Sequence, residues 1–267
     1  MIRVGVIGAG GRMGRQVCRA VHEQPDMALV SAIDVQCAGK TLGPIVGDAS
    51  LKLTISDELT TLLEAEAEVA VDFTTPASVM ANCRWAIEHA MHLVVGTTGL
   101  GPEDLEGVRS HIERGGHESN MIVAPNFAIG AVLMMHFAEI AARFMPDAEI
   151  VEMHHEHKLD APSGTSLRTA EAISRGRAGA PVHEEAGREA PGGPRGAVVE
   201  GVHVHSVRLP GLVAHQEVIL GAPGEVLTLR HDALDRASFM PGVLLAVREV
   251  PHRKGLTVGL ESLLGLA

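Results

Sequence analysis

Seven residues near the start of the chain, GAGGRMG at positions 8–14, constrain its fold more than any other feature. They follow a short apolar run at 2–7 and open a helical pattern through Val17, Ala20 and Val21. A second apolar run, 29–33, ends at Asp34. Strand, glycine turn, helix and strand in about 35 residues make a βαβ unit. Gly8, Gly11 and Gly14 stand three apart, and Gly10 tightens the turn. Such a turn brings the backbone close to a pyrophosphate and aims unbonded N–H groups of a helix N-terminus at it. Glycines alone are a weak signal, because a packing turn without ligand uses them too. The strand before, the helix after, and a carboxylate twenty residues beyond Gly14 make it a strong one.

The pattern repeats downstream. A helix is expected over 57–63 with Ser56 as its cap, a strand over 69–73, and a helix opened by Thr75 and Pro76 that runs to His89. A strand over 92–95, a helix over 102–114 and a strand over 121–124 follow. Alternation of this kind implies an α/β fold with a doubly wound parallel sheet of Rossmann type. After residues 125–127 the texture changes. A long apolar helix is expected over 130–144, a strand over 150–155, and a helix over 166–174. Residues 175–197, rich in Gly, Pro, Arg and Glu, read as a long mobile loop. Runs at 203–209, 215–220 and 226–230 imply an antiparallel or mixed sheet, so the second domain is α+β. A helix over 237–250 and a short terminal helix complete the reading.

Bulk properties exclude several classes of function. The net charge is −11, which removes the basic footprint that nucleic acids and anionic membranes need. Tyrosine is absent and Trp85 stands alone, so stacking platforms for single strands are poorly supplied. No apolar run reaches the roughly 18 residues of a membrane span. Cys18, Cys37 and Cys83 are far apart, odd in number and in no CxxC, which fits a reducing compartment. The chain starts on a strand and glycine turn rather than a signal peptide. The expectation is a cytoplasmic enzyme with a small-molecule substrate, no nucleic acid partner and no membrane.

Asp34 is placed to accept hydrogen bonds from the adenosine ribose hydroxyls. A 2′-phosphate would call for a cation nearby, but Val35 and Gln36 follow, and only Arg12 and Lys40 remain within reach. NADH is the expected cofactor, with NADPH possible.

The chemistry is expected in the stretch EMHHEHKLDAPSGT at 152–165. Three readings compete: a metal site, exposed histidines at a strand end, and a general acid beside a carboxylate pocket. The HExxH zinc spacing needs a histidine where Leu159 stands, so that motif fails and no metal is expected. The third reading explains most. Ser163 would cap a helix whose first N–H groups, on Gly164 and Thr165, face an anion at the positive end of the dipole. Lys158 and the histidines add charge and a proton source, and a histidine suits protonation of a carbanion-like centre left by hydride addition.

The same stretch resembles the signature of the 4-hydroxy-tetrahydrodipicolinate reductase (dihydrodipicolinate reductase) family. GAGGRMG at 8–14, DFTTP at 72–76, GTTG at 96–99, APNF at 124–127 and HSVRLPG at 205–211 also look like family segments, so the resemblance spans nearly the whole chain. It implies His154 as proton donor and His155 as a substrate contact. Lys158 would assist protonation and bind a carboxylate. Gly164 and Thr165 would hold a carboxylate through backbone N–H groups, with Ser163 and Arg236 as further contacts. The cofactor would be lined by Gly8, Ala9, Gly10, Gly11, Arg12, Met13 and Asp34, by Gly96, Thr97 and Thr98, and by Ala124, Pro125, Asn126 and Phe127. It further implies hydride transfer from nicotinamide to a cyclic unsaturated dicarboxylate in lysine and diaminopimelate biosynthesis, and a homotetramer built through the sheets of the second domains. The dinucleotide domain would be 1–126 completed by 237–267, and the substrate-binding and oligomerisation domain 127–236. One departure stands out. Family members that use NADPH well often carry Arg after the acidic residue and in the third-strand motif, where this chain has Val35 and Thr75. The rival readings are a two-domain dehydrogenase for another small carboxylate and a catalytically silent NAD-binding paralogue.

Overall fold

In a computed structural model of the chain, residues 1–115, 118–180 and 193–266 are described. In chain order the strands are β1 (Ile2–Ile7), β2 (Met27–Ile33), β3 (Val69–Asp72), β4 (His92–Val95), β5 (Met121–Val123), β6 (Asp147–His154), β7 (Ala197–Val199), β8 (Val202–Arg208), β9 (Ala214–Ala222), β10 (Glu225–Ala233) and β11 (Leu256–Val258). The helices are α1 (Arg12–His22), α2 (Leu42–Val46), α3 (Thr61–Glu64), α4 (Pro76–Glu88), α5 (Pro102–Gly115), α6 (Ile129–Ala141), α7 (Gly164–Arg177) and α8 (Met240–Glu249). The chain divides into two compact units, Met1–Phe127 with Phe239–Ala267, and Ala128–Ser238. Among the described residues no helix is long and apolar enough to cross a membrane.

The first unit is a six-stranded sheet in the order β11-β5-β4-β3-β1-β2, and every pairing is parallel. Its central strands are mostly apolar, as strands covered on both faces tend to be. Val4, Val6, Val69, Val71 and Val94 are all fully buried. Ile7, Val79, Cys83, Ile87, Leu93 and Met121 build one core around them. From β1 the chain steps outward to β2 on one side, then through β3, β4 and β5 on the other. The switch therefore lies between β1 and β3, where ligands of such sheets bind beyond the carboxyl ends of the strands. The glycine turn leaves β1 at that point.

Several elements differ from the sequence reading: α2 was not expected, the helix expected over 237–250 opens as a 3-10 turn before α8, and three more depart as follows. The helix expected over 57–63 shrinks to α3, because residues before it are held extended beside β2. Ser56 donates its amide to Ala32 and accepts from the amide of Asp34. Its hydroxyl takes the amide of Glu58, a local turn rather than a helix cap. The terminal helix is instead β11, which pairs with β5 between Gly255 and Gly259, both at positive φ, and is followed by turns. The loop expected over 175–197 begins later, since α7 runs to Arg177, and it ends as β7 starts at Ala197; its stretch 181–192 lies outside the described residues.

The second unit is a mixed sheet in the order β10-β9-β6-β8-β7. β6 and β8 run parallel, joined through α7, and the other pairs are antiparallel. One face is apolar. Ile150, Val202, Val204, Val218 and Leu220 pack with Met134 and Ala138 of α6 and Ile173 of α7. Gly176 lets the two helices touch backbone to backbone, for a Cβ there would stand 2.1 Å from the Glu139 carbonyl oxygen. Period-two alternation puts Glu152 on the same face as Ile150.

Two glycine-to-alanine changes separate packing from propensity. A Cβ on Gly14 would stand 2.0 Å from the Gly8 carbonyl oxygen, whereas one on Gly107 of α5 would meet nothing within 4 Å. Gly14→Ala is expected to cost about 1–3 kcal/mol through overpacking, and Gly107→Ala to add about 0.5–1 kcal/mol through helix propensity. Urea melts of the two variants against the parent check both signs.

Candidate active site and nucleotide site

The glycine turn is held from both sides. Gly8, at φ +84°, and Ala9 both donate their amides to the Ile33 carbonyl, at 2.8 and 3.0 Å. The amide of Gly11 returns to Gly8 O at 3.0 Å. Asp34 anchors the rest. Its Oδ2 accepts from the amide of Gly10 at 2.9 Å, and its Oδ1 from the amides of Gln36 and Cys37 at 2.9 and 3.2 Å. A carboxylate offers about four lone-pair sites, so one remains. A side chain at position 10 is impossible without movement, because a Cβ would lie 2.6 Å from the Cys37 sulfur and 2.9 Å from Asp34 Oδ2. No side chain caps α1 at Gly11. Among the described residues the amides of Arg12 and Met13 have no acceptor, so the helix start fits an anion such as a pyrophosphate.

The other expected nucleotide segments converge on Phe73, a residue the sequence reading did not single out. A Cβ on Gly8 would lie 2.5 Å from Phe73 O, one on Gly96 would lie 2.2 Å from its ring, and the Phe127 ring packs against it at 5.8 Å between centroids. Beneath them Asp72 is fully buried. It accepts from the Thr74 amide at 2.9 Å, the Thr74 hydroxyl at 2.8 Å, the Thr97 hydroxyl at 2.7 Å and Asn82 Nδ2 at 2.7 Å. Thr97 also takes the Thr74 amide at 2.7 Å, so its side chain points into the protein and only its backbone is left for a ligand. Thr98 and Pro125 are exposed, Asn126 is half-buried, and Ala124 and Phe127 are buried.

In the second unit the sequence stretch folds around Glu152, whose side chain has no exposure at all. His154 Nδ1 lies 2.5 Å from Glu152 Oε2. Arg208 grips the same carboxylate with both ends of its guanidinium, at 2.8 and 2.7 Å. Burial pushes the Glu152 carboxyl up, but hydrogen bonds from His154, Arg208 and Ser206 outweigh it and hold it down at about 2. Arg208 also donates to the Asp160 carbonyl at 2.8 Å. Lys158 Nζ reaches both oxygens of Asp160, at 2.8 and 2.9 Å, and that hydrogen bond holds the Asp160 carboxyl below its usual range. His155 Nδ1 is buried without a partner among the described residues. His157 is exposed and 3.4 Å from Glu156. Among the described residues no group of three His, Cys, Asp or Glu side chains could hold a metal ion.

Ser163 caps α7, taking the amide of Ser166 at 3.2 Å. A buried chain ties this helix start to β9. Ser163 Oγ meets Ser166 Oγ at 2.7 Å, Ser166 donates to Gln216 Oε1 at 2.8 Å, and Gln216 donates to Thr169 Oγ1 at 2.7 Å. The Ser163 hydroxyl is thus spent on the fold. Gly164 and Thr165 form the first helical positions. Arg236 is exposed, in a single 3-10 turn, and makes no ion pair among the described residues. Sequence reasoning missed Arg208, Asp160 and Gln216. For Arg208 a signal existed, since it stands inside HSVRLPG, but nothing in that motif says which carboxylate it answers.

A parallel sheet with a glycine turn at its switch point, followed by an α+β unit that carries an acid–base cluster ahead of a helix N-terminus, defines the class of nucleotide-binding oxidoreductases. The comparisons narrow it. The family model for the dihydrodipicolinate reductase N-terminus matches residues 2–127, and that for its C-terminus residues 130–264. A 4-hydroxy-tetrahydrodipicolinate reductase from Cutibacterium acnes is 54% identical over 100% of both chains. One from Moorella thermoacetica is 47% identical over 98% of both. The structure of a dipicolinate-bound dihydrodipicolinate reductase from Paenisporosarcina superposes with a TM-score of 0.84 at 40% identity, covering 98% of this chain and 99% of that one. The chain belongs to the dihydrodipicolinate reductase family.

The buried carboxylate makes stability depend on acid. The Glu152 carboxyl sits at about 2 when folded against an ordinary 4.5. Because the folded value is the lower one, its contribution is complete above pH 4.5 and is lost as pH falls towards 2. Glu152→Gln removes that contribution. The gap between parent and variant in urea stability is expected to narrow by on the order of 3 kcal/mol across this window, at ~1.4 kcal/mol per pKa unit. A gap that stays constant from pH 6 to pH 2, the range to be scanned, would count against the assignment.

Proposed function

We propose that this chain catalyses the NAD(P)H-dependent reduction of 4-hydroxy-tetrahydrodipicolinate, by way of dihydrodipicolinate, to tetrahydrodipicolinate in lysine and diaminopimelate biosynthesis. The observation that carries the reading is the cluster ahead of α7, with His154 held 2.5 Å from a fully buried Glu152 and Lys158 on the loop that leads to the Ser163 cap. A reduced nicotinamide, when bound, supplies the hydride. The residues of the chain bind, orient and move a proton. Gly8, Gly10 and Gly11 keep the turn free of side chains. The amides of Arg12 and Met13 take the pyrophosphate, and Asp34 accepts a ribose hydroxyl with its remaining lone pair. The backbone of Gly96, Thr97 and Thr98, with Ala124, Pro125, Asn126 and Phe127, lines the remainder of the cofactor.

His154 gives the proton that follows the hydride. Lys158 exchanges its internal partner Asp160 for a substrate carboxylate, and Gly164 and Thr165 hold a carboxylate at the positive end of α7. His155 and Arg236 are the further substrate contacts. Ser163 acts through the helix cap rather than by touching the ligand. We infer that NADH is preferred and NADPH is accepted second. Val35, directly after Asp34, is 77% exposed and brings no cation, and the Thr75 hydroxyl is spent on Ser78 at 3.0 Å. Val198 and Val226, at 64% and 68% exposure on the two edge strands of the second sheet, support assembly into a homotetramer. The biosynthetic family supports a cytoplasmic location.

A coupled assay, with the preceding synthase generating the substrate, follows NADH or NADPH absorbance; no consumption of either sinks the reading. His154→Gln is expected to lose about 10²–10⁴-fold in kcat while NADH still quenches protein fluorescence as in the parent. A kcat/KM ratio of about tenfold in favour of NADPH (~1.4 kcal/mol) would reverse the cofactor preference. Light scattering should return the mass of four chains of 28.1 kDa.

A further inference from the structure

We propose that Glu152 and Arg208 are positioning residues for the proton transfer: the buried carboxylate holds His154 with hydrogen on Nδ1, so that Nε2 is the nitrogen that delivers the proton. The inference rests on the reductase reading for its catalytic meaning, but its geometry stands alone. A carboxylate that stays ionised at neutral pH only accepts hydrogen bonds, and the Glu152 carboxyl is held down at about 2. The 2.5 Å contact with His154 Nδ1 therefore has the imidazole as donor. The proton on Nδ1 is fixed there, and exchange with a ligand falls to Nε2. A carboxylate that fixes the tautomer of a catalytic imidazole acts the same way in serine hydrolases.

Arg208 has two tasks in one guanidinium. Its Nη1 and Nη2 clamp Glu152 fork to fork, which fixes the carboxylate plane at both oxygens. Nη2 also donates to the Asp160 carbonyl at 2.8 Å, two residues past Lys158. One buried ion pair thus aligns the proton donor and tethers the loop that carries the lysine. The remaining nitrogen, Nε, is buried and has no partner among the described residues, so the fold tolerates an unsatisfied donor to keep the fork on Glu152. Stability alone does not account for the pair. A buried ion pair can often be replaced by well-packed apolar residues at little or no cost.

The groups that face the pair are few. β6 carries His154, and β8 carries Arg208 and Ser206. The loop after β6 brings His155, Lys158 and Asp160. On β9 the residues opposite Glu152 and His154 are the neutral Gln216 and Ala214. From α7 and its cap the neutral Ser163, Ser166 and Thr169 join Gln216 in one hydrogen-bonded chain. Among these, Glu152 is the one carboxylate hydrogen-bonded to His154.

The test begins with the wild-type chain, free of substrate. Imidazole ¹⁵N–¹H correlation spectra at neutral pH, with His154 identified by its loss in His154→Gln, should show hydrogen on Nδ1. A bare Nδ1 with hydrogen only on Nε2 overturns the proposal. This arm needs no turnover and no mutant of the pair. An inactive wild type would therefore sink the reductase reading and leave this one standing. In the second arm Glu152→Gln should lower kcat about 10²–10³-fold, with substrate KM and the NADH dissociation constant each within about threefold of the parent. Arg208→Lys, which keeps charge but loses the fork, should fall between the two. A folded Glu152→Gln with kcat within threefold of the parent overturns the proposal. Should that variant fail to fold, the wild-type spectra decide.

Discussion

A carboxylate taken fully out of water must be met by donors, or it costs several kcal/mol. This chain buries such groups at strand ends, and its loops are arranged around them. Asp72 closes β3 and gathers Thr74, Asn82 and Thr97. Glu152, two residues before the end of β6, gathers His154 and Arg208. Asp34, just after β2 and only partly buried, gathers the amides of Gly10, Gln36 and Cys37. A loop tied to a strand-end carboxylate inherits the rigidity of the sheet. Each unit in this way converts a regular scaffold into an irregular surface whose atoms are fixed, which is what positioning a ligand requires.

The carboxylates meet this demand with different kinds of donor. Asp72 and Asp34 have no basic side chain among the hydrogen-bond partners described above; amides, hydroxyls and a carboxamide suffice for them. Of these three, Glu152 is the one that takes a guanidinium as well as an imidazole. Neutral donors fix a loop and do no more. A cation and a titratable ring on the same carboxylate tie its charge to a group that exchanges protons. The difference in partners sets Glu152 of the second unit apart from Asp34 and Asp72 of the first; Glu149 and Asp232, also in the second unit, share its pairing of an arginine with a histidine.

Much of this was legible in the sequence, and the reasons are local. The glycine turn, β1, β4 and the Thr75–Pro76 start of α4 depend on residues that specify their own backbone, through φ, through an apolar run, or through a capping position. What was not legible depends on partners far along the chain. Arg208 and Glu152 are 56 residues apart, and only the parallel pairing of β6 with β8 brings them together. The helix expected over 57–63 failed for a like reason: Ser56 is a good cap locally, but its backbone is claimed by Ala32 and Asp34. The terminal strand β11 was missed because three residues between glycines carry no periodic signal, and pairing with β5 alone makes them a strand. Asp34 shows a further contribution that its position in the sequence did not reveal. A ligand-facing carboxylate was expected, and the structure adds that most of its acceptor capacity is spent folding its own turn.

The starts of α1 and α7 solve the problem of unpaired helix amides in opposite ways. A good N-cap is worth about 1 kcal/mol, and α7 keeps it: Ser163 takes the amide of Ser166, the third helical residue, and leaves the cap buried in a chain of hydroxyls that ends on β9. α1 gives it up. Gly11 offers no side-chain acceptor, and the amides of Arg12 and Met13 stay unpaired among the described residues. A capping side chain there would satisfy the helix, and its absence leaves those donors open to an anion. A side-chain cap of this kind leaves the first two amides of a helix for other acceptors, and Lys158 lies five residues before it in the sequence. That lysine is itself satisfied in the meantime by Asp160, at 2.8 and 2.9 Å. The start of α1 is thus left with open donors among the described residues, while the charge ahead of α7 is held by an internal partner that a competing anion could replace.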